Sequence, residues 1–324
     1  MLILPTAAAL SFSLHSTLFT SPRICTKKES TKSNMDVTFH VVGDAYVDFF
    51  SFLDGDWPEN GGDSRLEHPV KSYAGGSSTN TATHLKALSR NFGNENQEIV
   101  LHTVLNPSDH YGKLLLDHAK KHGFPLVNCR KTDDDESWTG HCIAIVSGGE
   151  RSFMTHQGCV EKFAASDLHV EKIIETDGPI HLHVAGYFNV TGFWNGNLKD
   201  QLVYILEERK KKFPNQTTTV SLVTQHDASK GWDGGLDDVI PYLDFIIMNE
   251  LEANRIVRRG RGGIELDPSS DPVQEWLAFF SGLNPEAVVV VTKVGLTNYN
   301  RAEQNQENLL CLLAGPLIRH HYLK

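Results

Sequence analysis

The sequence predicts an α/β fold with a mainly parallel central sheet covered by helices on both faces. Short apolar runs rich in β-branched residues alternate with longer stretches of helical periodicity, which is the pattern of parallel strands joined by helical crossovers. Of the 324 residues, about 290 remain once a front segment of different composition is set aside, the size of one large domain. Two stretches break the alternation and read as an excursion from the sheet, and no internal repeat is evident.

Taken in order, residues 39–42 form the first buried strand, closed by Gly43 and followed by two carboxylates, Asp44 and Asp48. Further strands are expected at 100–104, 180–184, 219–223, 245–248 and 287–291, with helices at 112–122, 197–212 and 273–280 among them. The run Ala74-Gly75-Gly76-Ser77-Ser78-Thr79-Asn80 reads as a glycine turn feeding a helix whose apolar positions are Ala82, Leu85 and Leu88. The glycines let the backbone take positive φ and approach a ligand, and the Ser/Thr run offers N-cap oxygens. Asn80 falls in the first turn, where its amide can both give and take a hydrogen bond from a hydroxyl. Asp48 lies just past the carboxyl end of its strand, where open α/β sheets bind ligands, and one carboxylate there can accept both hydroxyls of a vicinal diol. The two stretches outside the alternation are 49–73 and 138–157, the second a hairpin turning through Gly148-Gly149.

Composition narrows the function classes. A net charge of −10 and a pI near 5.9 argue against a general nucleic-acid binder, which needs a basic surface. The short cluster Arg258-Arg259-Gly260-Arg261-Gly262-Gly263 reads as a solvated surface loop. No apolar run is long enough to span a bilayer, so no membrane partner is expected. Five scattered cysteines without a C-x-x-C pair suit a reducing compartment with free thiols. His181 and His183 share one strand face, but no carboxylate or cysteine joins them at ligand spacing, so they read as core or cleft residues and not as a zinc site. Residues 1–34 are rich in Ser and Thr and poor in acids, which suits either a transit peptide or an extension ahead of a start at Met35. The expected location is the cytoplasm, with plastid or mitochondrion as the alternative if 1–34 is a transit peptide.

The order of these segments resembles the PfkB family of carbohydrate kinases, the ribokinase-like group. The resemblance is carried by Gly43-Asp44 and Asp48, by Gly75-Gly76 with Asn80, by 101–105 followed by Asp109-His110-Tyr111-Gly112, by 181–187, and by Asn249-Glu250-Leu251-Glu252 after an apolar strand. It runs from about 37 to 293 and implies one kinase-like domain over 35–293, with a small β lid built from 49–73 and 138–157. It implies ATP-dependent phosphorylation of a hydroxymethyl group on a sugar or nucleoside, and pairing of two chains through the lid. Asp48 is implied to grip the sugar, with Gly75, Gly76 and Asn80 completing the grip. Asp44 would assist, although an acid at a loop tip is also commonly just solvated. Asn249 and Glu252 match the N-x-x-E motif and are implied to order Mg²⁺, Glu252 through the metal's waters; the pair also reads as a helix N-cap, and both can hold together. Asp227 matches a further acidic position. Ser78 departs from the pattern, where a Gly, Ala or Pro is usual.

No G-x-x-x-x-G-K-[ST] or G-x-G-x-x-G loop occurs, in keeping with the family, which cradles phosphates with a Gly-Ala-Gly-Asp turn whose aspartate is the catalytic base. That turn is absent, so no catalytic base is identified, and 294–324 reads as a divergent tail without a family counterpart. The expectation is therefore divided between a kinase and a sugar-binding chain, a pseudokinase or truncated product, with negligible turnover.

Overall fold

The computed structural model describes residues 37–292, apart from 95–96, 132–135, 149 and 265–270. The expectations for 1–34 and 294–324 lie outside the described residues. In chain order the elements are β1 (Thr38–Gly43), β2 (Tyr46–Phe52), β3 (Lys71–Gly75), α1 (Ser77–Asn91), β4 (Ile99–Thr103), α2 (His110–His122), β5 (Leu126–Asn128), β6 (His141–Ser147), β7 (Glu150–His156), α3 (Val170–Ile174), β8 (Ile180–Ala185), α4 (Asn197–Lys212), β9 (Thr218–Val223), α5 (Leu236–Val239), β10 (Phe245–Asn249), α6 (Glu250–Gly260), α7 (Pro272–Leu283) and β11 (Val288–Thr292).

Seven strands form the main sheet in the order β11-β10-β9-β8-β1-β4-β5, every pair parallel. Buried aliphatics of alternate parity on β1, β8, β9, β10 and β11 pack with α3 to α7 in the largest core, which holds Leu202, Ile256, Trp276 and Phe280. The opposite face carries Phe39, Val41, Ile99 and Leu101, which pack with Ala82 and Leu85 of α1 and Ala119 of α2. Helices thus lie on both faces as expected, but unevenly. Over β10 and β11 that second face presents Phe245, Ile247, Val288 and Val290, all at least partly exposed among the described residues.

The expected strands and helices are all present, the strands within one residue at each end and the helices within three, and α4 matches at both ends. β5 escapes sequence reading because it has only three half-buried residues. The excursion is a four-stranded mixed sheet, β3-β2-β6-β7, in which β2 pairs β6 in parallel and the other two pairs are antiparallel. Its first strand starts at Tyr46, ahead of the expected 49, so Asp48 belongs to the small sheet and does not sit on a loop beyond β1. The β6–β7 hairpin has the expected two-residue connection, with Ser147 paired to Glu150 and Gly148 at φ 56°. Arg258-Arg259-Gly260 is the last turn of α6, which corrects the surface-loop reading. Gly262 and Gly263 close the helix by donating N–H groups to the Arg259 and Arg258 carbonyls, and Arg259 forms a two-pronged ion pair with Asp237.

Arg209 of α4 is only 1% exposed, a position where an arginine must be fully satisfied. It donates to the carbonyls of Ile173, Ile174, Thr176 and Gly178 and to Thr218 Oγ1, over 2.7–3.2 Å. One guanidinium therefore ends α3 and fixes the entries to β8 and β9. We predict that Arg209→Met lowers stability by at least about 3 kcal/mol, because it strands several buried acceptors. Urea unfolding checks this; a loss under about 1 kcal/mol would show that water replaces the fan of donors.

Candidate functional site

The strand order reverses between β1 and β8. From β1 the chain steps out to β4 and β5, then returns to β8 on the other side and continues to β11, so the carboxyl ends of β1 and β8 flank a switch-point crevice. Gly43 closes β1 at φ 152°, and a Cβ there would stand 2.0 Å from the Ala185 carbonyl oxygen, so only glycine fits. Asp44 follows, 1% exposed. Its Oδ1 accepts the Ser77 N–H at 3.1 Å, its Oδ2 accepts Asn189 Nδ2–H at 3.0 Å, and its carbonyl accepts the Ser78 hydroxyl at 2.6 Å. Gly186, at the end of β8, makes room for it: a Cβ there would lie 2.4 Å from Asp44 Oδ1.

Two expectations are corrected here. The Ser/Thr run does not cap α1; Gly76 holds the cap position at φ 87° without a side-chain bond, and Asp44 serves the first N–H groups from 33 residues upstream. Asp44 is also not a solvated loop acid. Burial pushes its carboxyl up to about 6, against the opposing pull of its hydrogen bonds from Asn189, Ser77 and Ser78.

Asp48, on β2 opposite Tyr73, is half-buried and leans onto Gly75, where a Cβ would meet its Oδ2 at 2.1 Å. The two glycines thus act differently, Gly75 by close approach and Gly76 by positive φ. Among the described residues nothing donates a hydrogen bond to the Asp48 carboxylate. Burial, reinforced by the charge of Asp44, pushes it up to about 7. Asn80 sits in the first turn of α1, half-buried, as expected. The small sheet is anchored beside these groups by the Tyr46 hydroxyl, which donates to Gln157 Oε1.

At the end of β10, Asn249 and Glu252 form a reciprocal capping box: Asn249 Oδ1 accepts the Glu252 N–H at 2.9 Å and Glu252 Oε2 accepts the Asn249 N–H at 3.2 Å. Thr224 Oγ1 and Asn249 Nδ2 each add a bond to the Glu252 carboxylate at 2.7 Å. The helix-cap reading is therefore what this geometry contains. With three of about four acceptor positions in use, the carboxylate retains room for a water. This corner lies three strand spacings from β1, roughly 14 Å at ~4.8 Å each. Asp227 is turned inward and folds its own loop, accepting the N–H groups of Ser229 and Trp232. His181 and His183 share Ser221 Oγ as partner, and burial pushes His183 down to about 3, so they are neutral residues of the sheet face. Among the described residues no three His, Cys, Asp or Glu side chains form a metal cluster.

Sequence reading missed Asn189, which no spacing relates to Asp44, and Cys142, which the parallel register sets beside Asp48. Gly186, within the 181–187 segment and just past the end of β8, is the available signal for the first.

The family model for the pfkB family of carbohydrate kinases matches residues 39–293, and the chain belongs to that family. A curated relative, an adenosine kinase from Dictyostelium discoideum, is 23% identical over 194 residues, 56% of this chain; the chain spans about half of that relative's length, 53%. Solved structures similar to it include a ribokinase from Giardia lamblia, at TM-score 0.58 and 16% identity over 79% of this chain and 74% of that one. An adenosine kinase from Anopheles gambiae in complex with a di(adenosine-5) tetraphosphate scores 0.56 at 13% identity, covering 80% and 77%. These likenesses show a ribokinase-like fold.

The raised Asp48 carboxyl makes a signed prediction. A carboxyl raised from 3.8 to about 7 contributes stability below pH 4 that is lost as pH rises through 7. Asp48→Asn should thus be more stable than the parent by about 2–4 kcal/mol at pH 8, converging with it below about pH 4. Ligand-free denaturation at both pH values checks this, and a pH-independent difference would contradict the shift.

Proposed function

We propose that this PfkB-family chain binds a sugar or nucleoside through vicinal hydroxyls at Asp48 and presents its hydroxymethyl group for phosphorylation by ATP. The observation that carries the reading is Asp48 itself: a half-buried carboxylate, pressed against Gly75, to which no described residue donates. An acceptor held in that condition is satisfied by ligand hydroxyls, which supply two donors to one carboxylate. Asn80, in the first turn of α1, would add a donor and an acceptor, and Gly76, at φ 87°, would let the main chain approach the ligand closely.

The small sheet acts in this reading as a lid that shields the reacting hydroxyl from water. Its far face, which exposes Ile143 and Met154, would be where two chains pair. Asn249 and Glu252 fit Mg²⁺ through water and not by direct ligation, since direct contact would break the capping box. Bound Mg²⁺ would neutralise charge on the phosphates of ATP. The Asn249–Glu252 pair, whose geometry is that of a helix cap, favours as second reading a chain that binds the acceptor without turnover. Product formation measured with and without ATP on saturating acceptor separates the two.

Asp48→Ala should weaken acceptor binding by about 1.5–3 kcal/mol, with the circular dichroism spectrum unchanged. Equal affinity in parent and variant, by calorimetric titration, would sink the assignment. In protein that turns over, Glu252→Gln should raise the Mg²⁺ concentration at half-maximal rate and leave acceptor affinity alone. An unchanged Mg²⁺ dependence would leave Glu252 as a helix cap only.

A further inference from the structure

We infer that the acceptor is a nucleoside, its base stacked on aromatic side chains that share the Asp48 face of the small sheet. This rests on the reading of Asp48 as the hydroxyl-gripping residue and narrows it.

The register fixes which side chains share that face. Asp48 is paired with Tyr73 on one side and Cys142 on the other, and Cys142 with Thr155, so these four stand in one row. The next row on the same face is Lys71, Phe50, Ala144 and Phe153. Contacts agree: Thr155 Oγ1 lies 3.3 Å from Cys142 Sγ, and the Phe50 and Tyr73 rings meet edge-on with centroids 5.9 Å apart. Tyr73 is 51% exposed and Phe153 53%, while the side chains between them, Cys142 and Ala144, are small and buried. The Arg151 guanidinium lies 6.0 Å from the Phe153 ring centroid.

Large exposed aromatics flanking a floor of small side chains are costly to leave facing water, and they suit a flat π-system. In a ribonucleoside the carbon that bears the base adjoins the vicinal diol. A diol gripped by Asp48 therefore sets the base within about one row, roughly 7 Å, of Tyr73 and Phe50. A free pentose would end short of the second row and leave Phe153 uncovered. The opposite face of the sheet exposes aliphatic side chains, Ile143 and Met154, so the exposed aromatic character belongs to the face that bears the carboxylate.

The test is calorimetric titration of the whole chain with ribose, adenosine and uridine, repeated on Tyr73→Ala, Tyr73→Phe, Phe153→Ala and Asp48→Ala. Both nucleosides should bind at least about ten-fold tighter than ribose, in line with base–aromatic stacking. Each aromatic-to-alanine variant should lose about ten-fold for the nucleosides, hold its ribose affinity, and be matched to the parent by Tyr73→Phe. Ribose bound as tightly as the nucleosides, with Asp48→Ala weakening both, would overturn this inference and leave the carboxylate's role standing. Affinities indifferent to Asp48→Ala would overturn both. Alanine variants that leave nucleoside affinity unchanged but shift the sedimentation behaviour would assign the aromatics to an interface between copies and overturn the inference.

Discussion

Asp44 holds together the part of the molecule on which everything else at the site depends. Its carboxylate joins the end of β1 to the first N–H of α1 and to Asn189 beyond β8, the three segments that meet where the sheet reverses its order. Glycine at 43, 76 and 186 is what permits this approach, since a Cβ at any of them would collide with the Asp44 or Ala185 main chain or with the Asp44 carboxylate. With α1 held in this way, Gly75 is fixed beneath Asp48, and the small sheet has a defined attachment to the large one. The position of the second carboxylate is thus a consequence of the first.

The arrangement is unfavourable to stability. Two carboxyls near each other and shielded from water are both raised, Asp44 to about 6 and Asp48 to about 7, so ionised forms at neutral pH are destabilising. Asp44 offsets this with hydrogen bonds to main chain and to Asn189. Asp48 has none among the described residues, which is the pattern expected where a group is kept for a ligand. Stability is recovered elsewhere, in the aliphatic core between the sheet and α3 to α7 and in the fan of bonds around Arg209.

Much of this was legible in the sequence because periodicity and strand-end glycines are local signals. The strands of the main sheet other than β5, α4, the glycine turn before α1 and the Gly148 hairpin could be placed from neighbouring residues alone. What was not legible is non-local. Nothing near Ser77 indicates that its helix is capped from Asp44, and the Ser/Thr run beside it suggested the wrong cap. Asp48 was identified, yet placed beyond β1 and not within β2, because Tyr46–Phe52 (Tyr-Val-Asp-Phe-Phe-Ser-Phe) lacks the strict apolar/polar alternation of a half-exposed strand. The arginines at 258 and 259 looked like a solvated cluster because their partners, the Gly263 carbonyl and Asp237, are supplied by helix closure and by another element. The Asn249–Glu252 pair was read as both cap and metal support, and the geometry contains the first while leaving one acceptor position for the second.

The central claim is that Asp48, a carboxyl to which no described residue donates, is largely protonated below neutrality and ionises when ligand hydroxyls reach it. Titration calorimetry of acceptor binding at pH 6 in two buffers of different ionisation enthalpy measures the protons exchanged directly. The account predicts release of about one proton per ligand bound, falling towards zero at pH 9 and absent in Asp48→Asn. Binding at pH 6 without proton release, or with uptake, would contradict it.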